Sequence, residues 1–238
     1  MKNSIKFGVI LGISLIISSV VLGAFFYMSR MPQGTINVVG MASAKFESDT
    51  VKWSITLEEN TGVNEIKEGY KRLENTLEAL REILNSKGIK NEEINVKPIN
   101  MRQDYDYEKH EIRGYVLYQS LYIISDRVDE VEGLALNPKE LLDKDIITQT
   151  SRLEYFYSGI DDLKKELISD ATANAKERAE KMLENTDMVV GKLISVKAGV
   201  FQITEPYSTE VSSYGIYDTS SRNKQITEIG RASCRERV

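Results

Sequence analysis

The chain has 238 residues, 28% of them charged and 41% hydrophobic, with a formal net charge of -5. Lys and Arg are scattered among acids, as in Glu65-Ile-Lys-Glu-Gly-Tyr-Lys-Arg72. That pattern argues against nucleic acid as a partner, because a surface that tracks phosphates needs clustered basic side chains. The length is enough for one domain, or two small lobes, around a proper core.

The N-terminus carries a membrane signal. Lys2 and Lys6 precede an uncharged run from Phe7 to Met28, which Arg30 closes. As a helix this run spans about 33 Å, against a hydrocarbon core of about 30 Å. Cleaved signals usually have a shorter apolar region and an A-x-A-like site, and Val21-Leu22-Gly23 is a poor substitute for one. Residues 1–30 are therefore expected to be a retained signal-anchor, with export after cleavage near Ala24 as the alternative. The two lysines keep the N-terminus cytoplasmic and send residues 31 onward across the membrane. No cysteine stands directly after the run, which excludes a lipoprotein anchor. Met31 to Gly34 form a short linker.

From Thr35 the chain reads as strand, glycine break at Gly40, then a longer strand. In that longer strand Val51, Trp53, Ile55 and Leu57 alternate with Lys52, Ser54 and Thr56, so one face belongs in a core. Thr61 is placed to cap a helix with Glu65 in its first turn. Ile66, Tyr70, Leu73, Leu77, Leu80 and Leu84 then recur at helical spacing, and Gly88 ends the stripe. A hairpin is expected next, with strands Ile94–Met101 and Tyr115–Ser125 and a polar turn around Asp104 to Arg113. The second of these strands is apolar on both faces, which predicts a central strand covered on both sides.

Val128 to Ala135 suggests a short helix, and Asn137-Pro138-Lys139-Glu140 opens another with proline at its first position. Ile146–Tyr157 returns to strand spacing. The last long helix, about Ile160 to Asn185, has Leu163, Leu167, Ala171, Ala175, Ala179 and Met182 on its inner face. Lys192–Ile203 reads as a strand, and Thr204–Lys224 as a long surface loop, mobile or held by a partner. The expected fold class is α+β: a mixed, mainly antiparallel sheet with two long helices on one face, preceded by the transmembrane helix.

The C-terminal segment Glu228–Val238 is what a common short-read sequencing adapter encodes when translated in frame. Such scars are left out of fold reasoning. The domain is accordingly expected over residues 35–227, with its closing strand, begun at Gln225, cut short. The one cysteine, Cys234, falls in that tail, so disulfides, thiol catalysis and cysteine metal sites drop out of the natural part.

On these residues the chain resembles the SIMPL-domain family, which includes bacterial oxidative-stress-defence proteins and a periplasmic immunogenic protein. Ile36-Asn-Val-Val-Gly40, then Ala44 and Asp49-Thr50-Val51, are close to the family's I-x-V-x-G-x-G-x-x-x-x-x-P-D-x-A. Gly88-Ile89 with Glu92-Glu93-Ile94, Tyr105-Asp106-Tyr107 with Gly114-Tyr115, and the alanine helix followed by Gly191-Lys192 continue the match. Met41-Ala42 and Ser48 depart from it, replacing the second glycine and the proline. The resemblance implies an exported α+β domain, commonly a homo-oligomer and in some members ring- or channel-like, with a stress role. It brings no cofactor, no catalytic residue and no defined protein partner.

One cluster offers chemistry of its own. On an extended strand Asp104, Asp106, Glu108 and His110 would share a face, and carboxylates with an imidazole can bind a divalent metal. The alternative is a solvated hairpin tip, with Lys109 as an internal counterion. No nucleophile elbow, zinc-protease, phosphate-loop or dinucleotide motif occurs. The expected protein is a non-enzymatic assembly or binding domain in envelope or oxidative-stress physiology; a metal- or ligand-dependent enzyme using residues 104–111 is the second reading.

Overall fold

A computed structural model describes residues 2–30 and 35–237. The linker expected at 31–34 lies outside the described residues. Helix α1 covers Lys2–Arg30, and within it Phe7–Ser29 has a mean hydropathy of 2.6, long and apolar enough to cross a membrane. The chain divides into two compact units: Met1–Gly40 with Thr172–Lys197 and Gly230–Val238, called unit one, and Met41–Ala171 with Ala198–Ile229, called unit two.

The fold is α+β with antiparallel sheets, as the alternation implies, but the strands form two five-stranded sheets rather than one. Strand β1 (Thr35–Glu47) runs through Gly40 without a break, with Ile36, Val38 and Gly40 buried in alternation. The interruption comes at Ser48-Asp49, before β2 (Thr50–Gly62). In β2, Val51, Trp53, Ile55 and Leu57 are all buried, as the period of two requires.

The first sheet lies wholly in unit two. It is ordered β3 (Ile94–Val96), β5 (Glu111–Ser125), β2, β6 (Thr148–Phe156), with β4 (Asn100–Asp106) also on β5. Strand β5 is central, but only one face is fully covered: Leu117, Leu121 and Ile123 are buried, whereas on the other face Val116 is buried, Tyr118 and Tyr122 are half-buried and Ile124 is exposed. The apolar second face therefore reflects tyrosines tolerated on a partly wetted sheet, not a second layer.

Helix α2 (Ile66–Ser86) packs on the covered face through Leu73, Leu77, Leu80, Ile83 and Leu84. Its expected stripe fails at the N-terminal end, where Tyr70 points outward and Gly69 is buried instead. There the helix comes so close that a Cβ on Gly69 would lie 2.8 Å from Thr61 Cβ and 3.1 Å from Leu117 Cδ1. Thr61 is not a cap. It remains in β2, and its hydroxyl donates to the Glu65 carbonyl at 2.7 Å. At the other end Gly88, with φ +82°, closes the helix: its N–H donates to Asn85 O and the Ile89 N–H to Leu84 O.

Helix α3 covers Val128–Leu136 and α4 Lys139–Leu142, with Pro138 at the cap position rather than inside the first turn. Helix α5 (Ile160–Leu183) keeps a spacing of four through Leu167, Ala171, Ala175, Ala179 and Leu183, which leaves Met182 61% exposed. The second sheet is ordered β1, β10 (Asn223–Arg237), β8 (Gln202–Thr204), β9 (Ile216–Tyr217), with β7 (Val189–Lys197) also on β10. The single strand expected at 192–203 is thus two, separated at 198–201.

Strand β10 continues through the segment read as adapter-encoded, and Arg231 to Arg237 pair with Lys197 to Val189. Ladder pairing uses backbone groups, which any non-proline sequence supplies. The side chains fit less evenly. Two register shifts flank Cys234, and buried Glu228 has one carboxylate oxygen without a partner. In unit two, Leu167, Ile203 and Ile226 form a small core with Ala42, Ala44 and Phe46 against them. In unit one, Ile36, Val38, Ala179, Leu183 and Cys234 form another, with Val190 beside it.

The loop expected over 204–224 is held by its own chain. Gln202 Nε2 donates to Ser212 O at 2.7 Å, Asp218 N–H donates to Ile203 O at 2.9 Å, and Tyr155 N–H donates to Thr219 O at 2.8 Å.

Candidate functional site

The hairpin tip does not assemble the site expected of it. Strands β4 and β5 pair as far as Asp106 opposite Glu111, with a register shift after Asp104, and residues 107–110 form a tight turn. Glu108 and His110 therefore leave the strand, His110 with φ +53°, and the four side chains do not share a face. Asp104 Oδ1 accepts from Arg113 Nη2 at 3.0 Å. Asp106 Oδ1 accepts the backbone N–H groups of Glu108 and Lys109 at 3.0 and 3.1 Å, the usual way an aspartate stabilises a turn. The two carboxylates hold the hairpin in shape. Among the described residues no group of three or more His, Cys, Asp or Glu side chains is placed to hold a metal ion.

A denser polar cluster lies elsewhere in unit two, around Arg222. Its guanidinium reaches Asp129 Oδ1 at 2.5 Å and Glu132 Oε2 at 2.9 Å through Nη1, and Nε lies 2.7 Å from Glu47 Oε1. Hydrogen bonds to Asp129 and then Glu132 raise the arginine's already high pKa. Glu132 Oε1 accepts the Tyr155 hydroxyl at 3.0 Å; burial, followed by this bond, pushes the phenol up to about 12. Two residues on, Lys224 is buried and its Nζ donates to Tyr155 O at 2.8 Å and to Asp218 O. Burial pushes its ammonium below the ordinary lysine value.

Asp49, quoted above for the family motif, has a matching role. Ser158 donates to it through both N–H (2.8 Å to Oδ1) and hydroxyl (2.5 Å to Oδ2), and Thr50 adds a third bond at 3.0 Å. Burial alone would raise its pKa, but these bonds outweigh it and hold the carboxyl below the usual range. Each charged group here is engaged by a neighbour in the same unit. The arrangement clasps the segment before β10 to α3 and β6; it presents no paired acid and base around an open position. Sequence reading missed it because Glu47, Asp129, Glu132 and Arg222 are far apart in the chain and follow no period.

Unit one has the opposite character. Strand β7 pairs along one side with β10, and among the described residues nothing pairs with its other side. Leu193 is 46% and Ile194 53% exposed, and Val189 and Val196 are exposed too. Apolar residues on both faces of an edge strand are what a binding surface requires and what a soluble edge normally avoids.

The chain belongs to the SIMPL family. The family model, described as a protein of unknown function (DUF541), matches residues 36–227. No curated protein matches the chain.

Proposed function

We propose that this is a membrane-anchored SIMPL domain, held outside the cytoplasm by a retained α1, that works by assembly rather than catalysis. One observation carries the reading: among the described residues β7 offers an unpaired strand edge of nine residues, with Val189, Leu193, Ile194 and Val196 exposed. The partner is a second copy. In an antiparallel pair centred on Leu193, Val190 faces Val196, Val189 faces Lys197 and Lys192 faces Ile194, so no lysine opposes a lysine. A symmetric two-fold contact of this kind is the commonest route to a homo-oligomer. Lys2 and Lys6 support the orientation of the anchor, and the carboxylates of the 104–106 strand, occupied within the hairpin, support a non-catalytic role. A contribution to envelope or oxidative-stress defence belongs to the same proposal, and a deletion strain should show it as peroxide sensitivity.

Sedimentation of the full chain in detergent tests the assembly. The wild type should sediment as an oligomer, and Ile194→Lys or Ser195→Pro should reduce it to monomer. A monomeric wild type, or variants that sediment like it, would overturn the proposal.

A further inference from the structure

The uncovered apolar surface of unit one does not end with the β7 edge. In α5 and β1 the contacts run in opposite order: Arg178 Nη1 donates to Val39 O at 3.0 Å, and Leu183 packs in the same core as Ile36. Thr35 therefore lies at the C-terminal end of α5, where residues 184–188 turn into β7. At this end Met182 lies in a groove beside Val38 and Val39, while Met188 and Val189 line a second groove with Leu183. Met182 and Val189 are 61% and 60% exposed, and Met188 is exposed as well.

The chain itself says what these side chains meet. Helix α1 ends at Arg30 and β1 begins at Thr35. Five peptide steps reach at most about 18 Å. If α1 crosses the membrane, Thr35 stays within that distance of the hydrocarbon edge, and the headgroup layer fills about 5–8 Å of it. An apolar rim placed there has a lipid surface as its nearest large neighbour. The charges near the rim nearly offset one another, Arg178, Lys181, Lys192, Arg235 and Arg237 against Glu180, Glu184, Asp187 and Glu236. Five against four leaves little attraction to anionic lipid, and apolar insertion dominates.

We propose that Met182, Met188 and Val189 form a juxtamembrane rim that inserts into the bilayer interface and fixes the domain against the membrane. This rests on α1 being a retained anchor. Val189 belongs to both contacts, so a second copy paired on β7 keeps its own Val189 at the bilayer only with β7 parallel to the membrane plane.

The test uses the full chain with Cys234→Ser, carrying a single cysteine as Leu15→Cys, Ala173→Cys, Met188→Cys or Val189→Cys. Each is labelled with an environment-sensitive fluorophore and placed in phosphatidylcholine vesicles with or without spin-labelled quencher lipid. Labels at 15, 188 and 189 should lose emission to the quencher. The label at 173, exposed on α5 about 14 Å along the helix from Met182, should not. Quenching should be the same when anionic lipid is added. Quenching at 15 but not at 188 or 189 overturns the rim and leaves the anchor standing; no quenching at 15 overturns the anchor and the rim together. Blue-shifted but unquenched labels at 188 and 189 mean that protein covers the rim, and quenching that requires anionic lipid means that charge holds it; either result overturns the proposal.

Discussion

The α2 side of the first sheet and the β7 edge of the second are both apolar, yet they differ in what covers them. Around Trp53, the side chains of β2, β5, α2 and α3 close a core in which most members are buried completely. Around Leu193, the same kinds of side chain lie open. Apolar content alone therefore does not separate core from contact surface; what separates them is whether the chain returns to cover the strand. Strand β2 receives β5, β6 and α2, whereas among the described residues β7 pairs only with β10 and reaches a core only through Val190.

The largest effect should come from the covered side. Trp53 is fully buried and its indole N–H donates to Ser151 Oγ at 2.8 Å. Trp53→Ala should cost about 3–5 kcal/mol, read by circular dichroism during denaturation. A loss below about 1 kcal/mol, the level of an ordinary substitution, would mean that the two apolar regions differ less than their burial implies.

Next comes Arg222→Ala, which leaves Glu47, Asp129 and Glu132 without their shared cation. The site is partly wetted, so about 2 kcal/mol is expected, less than for a fully buried pair. Arg222→Lys should recover only part of this, because an ammonium cannot reproduce the forked geometry.

Glu228→Gln should act in the opposite direction. The carboxylate is buried with one oxygen unpartnered, while the other accepts the Gly199 N–H at 2.8 Å. Glutamine keeps that acceptor and removes the charge, so stability should rise by about 1 kcal/mol, seen as a higher denaturation midpoint. An unchanged or lower midpoint would show that the buried carboxylate is not a misfit in β10.

Two titrations sharpen the picture of the clasp. Asp49 has a lowered folded pKa, so its contribution is complete above the unfolded value of about 3.9 and fades as pH falls through the folded value. Asp49→Asn should flatten that acid limb. Tyr155 is raised from 10.0 to about 12, so the unfolded chain loses the proton first and stability falls between these values. Tyr155→Phe should remove that alkaline slope.

The smallest effect on stability should belong to Ile194→Lys, within about 0.5 kcal/mol for an exposed position, even as it abolishes association. If that substitution unfolds the protein instead, the edge is core and the contrast with Trp53 collapses.

By itself the sequence determined those features that depend on local period and local chemistry. The α1 span follows from an unbroken apolar run, the buried face of β2 from a period of two, and the end of α2 from the one residue type that accepts Gly88's φ freely. Pattern failed wherever a distant segment set the outcome. Tyr70 yielded its place to Gly69 because Thr61 and Leu117 left no room, and His110 left its strand because Asp106 organised a turn. The Arg222 clasp was invisible for the same reason. Ion pairs between residues far apart in the chain have no period, and strand pairing is read by backbone groups that every residue but proline carries alike. Which edge stayed open at β7, and which charges met at Arg222, were therefore decided only when the chain closed on itself.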